Sequence, residues 1–405
     1  MKICIFTETY YPVMGGGETQ AQLLAEGLIA NGHSVMVLTR RSDAALKKYE
    51  RYGKVDVYRL APVGSGQWKK WGLLFSSLPM FIKLRNQYDL IFVSGYRISG
   101  LTAVLVGKLL GRRVVLKADS QGEMSGDFFE SGLRRFGISH KTLLFRWFLG
   151  FRNTILKKAD AFSAISPEIA SEWTASVIPS EKIHLIPNSV DTSRFMPVES
   201  AQKDLLRKKL NLPQNATIVI YTGRLVSYKG LPLLLKVWDE IRRKHENVLL
   251  ILAGTGGLDI HNCEEVLREY VKANRLENQV VFTGAVQNVP EYLQASDIFV
   301  FPSENDAFPS SIVEAMACGL PVVSTPVGAI KTIITNGKTG LLIQPGNAEH
   351  LYQALDVILS NKEMASRLGK AACQSVQDLY SAEIVSKKYL TLFQGLIDPI
   401  KARIV

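Results

Sequence analysis

The stretch Glu304–Thr325, ENDAFPSSIVEAMACGLPVVST, sets two carboxylates, Asp306 and Glu314, on either side of a loop-to-helix junction. Pro309 suits the first helical position, and Gly319 with Pro321 suits the stop. The amides around Phe308, Pro309, Ser310 and Ser311 open that helix and favour an anion. Glu314, about one turn in, has the acceptor oxygens to take two hydroxyls, as from a ribose. Asp306, ahead of the helix, is placed for a second polyol. The plainer alternative is that both acids only complement the helix dipole. This stretch by itself leaves both readings open.

Three other loops have the residue types for phosphate chemistry. In YTGRLVSYKG (Tyr221–Gly230) a short loop holds Arg224 and Lys229. A planar fork and a point ammonium together suit a diphosphate, although two solvated charges are the commoner outcome for such residues. LAGTGG (Leu252–Gly257) closes a strand with glycines, among them Gly254. They permit close backbone approach to a ligand, and a tight turn explains them equally well. GGGETQ (Gly15–Gln20) opens a helix whose first amides, at Gly15 and Gly16, can meet a phosphate. The spacing is not that of a dinucleotide fingerprint.

These loops need rigid elements behind them. Apolar strand-like runs alternate with helical periods in both halves. The runs predicted as strands are Lys2–Phe6, Ser34–Thr39, Leu90–Ser94, Val114–Lys117 and Ala161–Ile165, then Ala216–Tyr221, Val248–Ala253, Gln279–Phe282, Ile298–Phe301 and Val322–Ser324. Helices fall between them, for example Glu18–Ala30 and Leu231–Lys244. This predicts an α/β protein with two doubly wound Rossmann-like domains, joined at Ile186–Pro197, where IPNSVDTSRFMP breaks the pattern. The expected bounds are 1–190, 191–381 and a final helical segment, 382–405. Ligands of such sheets bind beyond the strand carboxyl ends, so two facing domains would form a cleft.

Composition narrows the class. The chain has 405 residues, 47% hydrophobic and 21% charged, which suits a two-domain soluble protein. No apolar run reaches about 18 residues. MKICIF reads as a first strand and not as a leader. The four cysteines lack metal-type spacing, and reduced thiols in a cytoplasmic protein are expected. Of the net charge of +11, residues 1–190 carry +10, with 25 Lys and Arg against 15 Asp and Glu. An anionic partner is therefore expected on the first half. Nucleic acid is disfavoured, because the charge sits in no recognisable module.

Taken in order, GGGE, PNSVDTSRF, GRLVSYKG, AGTGG, VFTGAV and a D-x7-E helix with EAMACGLPVV resemble the family-4 glycosyltransferases of the GT-B fold. The resemblance spans nearly the whole chain and is most specific from Ile186 to Pro345. It implies retaining, metal-independent transfer of a sugar from a nucleotide-sugar, with no cofactor. A UDP- or GDP-linked donor would sit in the second domain, the acceptor in the first, and the last helix would cross back onto the first domain. It assigns Arg224 and Lys229 to the diphosphate, Glu314 to the ribose, and Asp306 to the transferred sugar. Gly15 and Gly16 would approach the distal phosphate, and Phe282 would lie in the segment near the base. Two positions depart from the family pattern. Its first acid is usually Glu, and here it is Asp306, one methylene shorter, with Glu304 nearby. A His is usual after the strand Val114–Lys117; here LKADSQGE offers Asp119 as the nearest polar group.

The expected acceptor is a lipid-linked glycan or another envelope or exopolysaccharide precursor. Two segments support this: GQWKKWGLLFSSLPMFIKLR (Gly66–Arg85) and LRRFGISHKTLLFRWFLGFRNTILKK (Leu133–Lys158) interleave aromatic and basic residues. Such helices can lie in a headgroup layer on the inner face of the cell membrane. Alternatively, their aromatics are core and the Lys and Arg snorkel. Rival functions are a nucleotide-sugar epimerase or hydrolase on the same fold, or a non-catalytic basic protein that binds lipid or polyanion.

Overall fold

Two blocks of strand–helix repeats each close their own sheet. The computed structural model describes residues 1–13, 15–64, 66–129 and 142–398. It divides into Met1–Asn188 together with the chain from Ala382 onward, and Ser189–Ser381.

Among the described residues the first unit has eight strands: β1 (Lys2–Thr7), β2 (Ser34–Arg40), β3 (Tyr49–Tyr52), β4 (Val55–Leu60), β5 (Leu90–Ser94), β6 (Arg113–Lys117), β7 (Ala161–Ala164) and β8 (Ile183–Leu185). Their order is β3-β4-β2-β1-β5-β6-β7-β8. All pairs are parallel except the β3–β4 hairpin at the edge. β1 is buried along Ile3–Phe6 and β5 throughout, because parallel strands are covered on both faces. From β4 through β5 and β6 to β7 every step moves the same way across the sheet. Right-handed crossovers therefore place helices Gln67–Lys83, Ser99–Leu110 and Leu143–Leu156 on one face. Helix Gly16–Ala30 covers the other face, packed against helix Ala382–Ile397. Tyr389 and Phe393 of the latter reach the core beside Phe92, and the Tyr389 hydroxyl lies 2.8 Å from that of Ser163.

The second unit has six parallel strands: β9 (Thr217–Thr222), β10 (Val248–Ala253), β11 (Val280–Gly284), β12 (Ile298–Phe301), β13 (Val322–Ser324) and β14 (Leu341–Leu342). The order β11-β10-β9-β12-β13-β14 puts the topological switch between β9 and β12. In such a sheet the crevice at that switch receives ligands. The alternating strand and helix pattern thus yields two doubly wound units. Ten of the fourteen strands among the described residues fall on predicted runs. The other four, β3, β4, β8 and β14, carry charged and polar residues or span only two or three residues. No helix among the described residues is long and apolar enough to cross a membrane.

Candidate functional site

The loop after β9 begins at Gly223 and ends at Gly230, whose φ of +72° starts helix Leu231–Lys244. A Cβ on Gly230 would lie 2.1 Å from the Pro302 carbonyl oxygen. Only glycine lets this loop settle against the one after β12. The two loops meet through Lys229. Its side chain is buried, at 8% exposure, and its ammonium pairs with the Asp306 carboxylate. The Asn305 carbonyl lies 3.5 Å away. The Tyr228 and Phe301 rings each lie 5.2 Å from Nζ, adding two cation–π contacts. Arg224 is the exposed member of the pair, at 61%. Its guanidinium donates to the Asp259 carboxylate and, at 2.8 Å, to the Tyr228 hydroxyl. Each cation expected to meet phosphate is thus held by an acid of this same unit. The structure joins Asp306 to Lys229, two residues that the resemblance assigned to different parts of a donor. Glu304 is exposed and its amide donates to the Tyr228 carbonyl at 2.8 Å.

Helix Ser310–Ala317 follows β12. Pro309 is its N-cap and not its first helical residue, and no side chain caps the opening amides of Ser310 and Ser311. This corrects the position predicted for Pro309 by one residue. Phe308 instead packs against Tyr380, with ring centroids 6.2 Å apart. Gly319, at φ +77°, ends the helix as expected. Glu314 lies half-buried on this helix. Burial pushes its carboxyl up to about 7, and the Arg194 charge opposes the shift.

Gly254 has a reason within the fold to be glycine. Its φ is +147°, and a Cβ there would lie 1.8 Å from the Gly223 carbonyl oxygen. Close packing between two loops requires it, whether or not a ligand is bound. Phe282 is half-buried on β11, with the Arg268 guanidinium 4.4 Å above its ring.

In the first unit, Gly15 is the extended N-cap of helix Gly16–Ala30. A Cβ on Gly16 would meet nothing within 4 Å, and one on Gly17 would lie 3.6 Å from Asp119 Oδ2. The glycine-rich turn and Asp119 are therefore neighbours. Asp119 accepts from the Lys117 ammonium at 3.0 Å. Burial lowers the pKa of Lys117, but the charge and hydrogen bond of Asp119, with the charges of Tyr389 and Glu123, together outweigh this and leave it raised.

Sequence reasoning missed the groups behind Asp119. The following loop is held by Glu172, which accepts from the amides of Gly122, Met124 and Ser125 at 2.6, 2.8 and 2.9 Å. Glu123 is 1% exposed and neither carboxyl oxygen receives a hydrogen bond among the described residues. Arg97 Nε lies 3.5 Å from one of them, and Arg152 donates to the Glu123 carbonyl at 2.6 Å. Nothing local marked Arg97 or Arg152, which lie far away along the chain. Asp259 was likewise invisible, whereas Tyr228, four residues after Arg224, was open to notice.

Burial pushes the Glu123 carboxyl up to about 8, against the opposing Arg97 charge. The folded protein therefore holds this proton more tightly than the unfolded chain does. Ionisation destabilises the fold progressively from pH 4.5 to about 8. Glu123→Gln is expected to remove that slope, with a difference on the order of a few kcal/mol by the alkaline end. Denaturant unfolding of both proteins across this range checks it. Parallel pH profiles would refute it.

The family model for Glycosyltransferase Family 4 matches residues 14–194, and that for Glycosyl transferases group 1 matches residues 202–375. The chain is 24% identical over 398 residues to N-acetyl-alpha-D-glucosaminyl L-malate synthase of Bacillus anthracis, covering 96% of each protein. The structure of sucrose-phosphate synthase from Thermosynechococcus elongatus superimposes with a TM-score of 0.79 at 24% identity, over 98% of this chain and 100% of that one. Anabaena HepE, solved with UDP and glucose, gives a TM-score of 0.76 at 19% identity, over 97% of this chain and 99% of that one. With each half matched by one of the two family models and the fold shared throughout, the chain belongs to the family-4 (group 1) glycosyltransferases of the GT-B fold.

Proposed function

We propose that the protein is a retaining, metal-independent hexosyltransferase that takes its sugar from a UDP- or GDP-linked donor. The observation that carries this reading is the Lys229–Asp306 contact, which joins the loops after β9 and β12 at the topological switch of the second unit. A donor diphosphate would take Lys229 and Arg224 from their present acid partners. Asp306, released from Lys229, would then be free for the sugar hydroxyls. The uncapped amides of Ser310 and Ser311 would add donors to the phosphates, and Glu314 would hold the ribose. Gly15, Gly16, Gly254 and Phe282 keep their proposed places around the donor, and Asp119 its place beside the sugar. As the glycosidic bond breaks, negative charge grows on the leaving diphosphate, and Lys229 and Arg224 stabilise it. Attack from the same face lets a leaving phosphate oxygen take the acceptor's proton, so no protein nucleophile is needed. The proposed acceptor is a lipid-linked glycan or another envelope polysaccharide precursor, met at the inner face of the membrane by a cytoplasmic protein.

A thermal-shift screen with UDP, GDP and ADP sugars tests the donor, because a ligand stabilises in proportion to the logarithm of its saturation. UDP comes first, since the Anabaena structure holds it. Sugar release without an acceptor would indicate a hydrolase, sugar interconversion an epimerase, and absence of any nucleotide binding a non-catalytic lipid or polyanion binder.

Calorimetry separates the two acids. Glu314→Gln is expected to weaken free UDP, whereas Asp306→Asn weakens only the intact nucleotide-sugar. Ribose hydroxyls are held best by the ionised Glu314. With that carboxyl near 7, UDP affinity rises roughly tenfold between about pH 6 and 8, and Glu314→Gln abolishes this share of the rise. Equal losses of both ligands in Asp306→Asn would sink the division of labour.

A further inference from the structure

Three neighbouring helices of the first unit turn an apolar surface outward. On helix Leu143–Leu156, Leu144, Trp147 and Phe151 are 79%, 74% and 60% exposed. They share one stripe at i, i+3 and i+7, while Leu149 and Leu156 point into the protein. Helix Ser99–Leu110 packs between this helix and Gln67–Lys83. It exposes Leu105 and Leu109, at 55% and 71%. On Gln67–Lys83, Phe75 is 78% exposed. Trp71 and Phe148, 5.8 Å apart, close the seam between the outer two helices. All three helices lie on one face of the sheet, so these residues form one surface and not scattered singles. Contiguous apolar surface of this kind marks an interaction site.

Charge identifies the occupant. The three helices comprise 43 residues without one Asp or Glu, in a chain that has 37 acids among 405 residues. At the chain average they would hold about four. Their charged residues are all basic, and Arg85, Arg112, Lys157 and Lys158 follow directly at their ends. Arg146, Lys83 and Lys158 are exposed. Lys108 and Arg113 are shared with Asp160, at 3.6 and 3.0 Å, so they contribute less. An apolar, aromatic centre on three helices that hold no acid, with basic residues at their ends, fits lipid tails and phosphate headgroups together. A water-soluble protein partner would not require the total absence of acids.

We infer that this three-helix face docks on an anionic lipid bilayer, with Leu144, Trp147 and Phe151 entering the headgroup–acyl boundary. The segment Leu133–Lys141, which the sequence also marked as basic, lies outside the described residues, so the inference stands on the helices. It deepens the lipid-linked-acceptor reading and rests on it only for what the docked protein does there.

Co-sedimentation of the full chain tests it, with vesicles of phosphatidylcholine alone or mixed with phosphatidylglycerol. Binding to the anionic vesicles is expected, with weaker binding to the neutral ones and a fall with salt. Trp147→Ser with Phe151→Ser should reduce the partition coefficient on the order of tenfold or more. Lys157→Glu with Lys158→Glu should erase much of the preference for anionic lipid. Leu205→Ala, an exposed apolar position of the second unit, should change nothing. Thermal melts of each variant confirm folding. No binding to anionic vesicles at low salt overturns the inference. So does a lipid-free dimer that the Trp147 and Phe151 changes dissociate, which would assign the face to a second copy. Sugar transfer by a protein that ignores vesicles would end the docking proposal and leave the transferase. Vesicle binding without nucleotide binding would do the reverse.

Discussion

Lys229→Ala is expected to lower turnover on the order of 10²-fold, with a smaller effect on donor affinity. The charge on the diphosphate is greatest in the transition state, so a cation aimed at it acts mainly there. Lys229 is well suited to this. It is 8% exposed, its ammonium lies 5.2 Å from each of the Tyr228 and Phe301 rings, and a surface this dry strengthens electrostatics. Removing it also strips Asp306 of its partner, which costs some stability. A thermal melt separates that cost from catalysis. Arg224→Ala should act in the same direction but less strongly, because Arg224 is 61% exposed and water screens it. Single-turnover kinetics with saturating donor decides the matter. Near wild-type turnover in Lys229→Ala would mean that the diphosphate lies elsewhere.

The second large effect is structural. Gly254→Ala is expected to destabilise the second unit by about 2–5 kcal/mol, even with no ligand present. The added Cβ would sit 1.8 Å from the Gly223 carbonyl oxygen. That atom is backbone, tied into the sheet by the Gly223 amide, which donates to the Ala253 carbonyl at 3.0 Å. It cannot swing away as a side chain tip would. The φ of +147° adds strain for any residue with a Cβ. Chemical denaturation without nucleotide reads this directly. A variant of normal stability that fails to bind donor would instead give close approach to a ligand the larger share at this glycine.

Some of this was legible along the chain. Strands Leu90–Ser94, Val248–Ala253, Ile298–Phe301 and Val322–Ser324 appear at their predicted bounds. A parallel strand covered on both faces must be apolar at every position, so a continuous run marks it. The YERY and VDVYRL strands were missed because an edge hairpin alternates charge with aromatics and has solvent on one side.

For function, the sequence by itself determined the kinds of groups and the loops that bear them, because a loop that follows an apolar strand is placed at its carboxyl end by connectivity alone. Arg224, Lys229 and the acids of the D-x7-E helix could be found in that way. Only the tertiary structure decided which groups meet. Lys229 and Asp306 are 77 residues apart and Arg224 and Asp259 are 35 apart, distances over which no local spacing carries information. The buried Glu123 likewise became visible only once Arg97 had come within 3.5 Å of its carboxyl and Arg152 had bonded its backbone carbonyl. The aromatic helix Leu143–Leu156 shows the same limit. A helix apolar on most sides does not say which stripe faces inward; packing within the first unit buried Leu149 near Gly126 and Leu156 near Gly100 and left Trp147 and Phe151 outside.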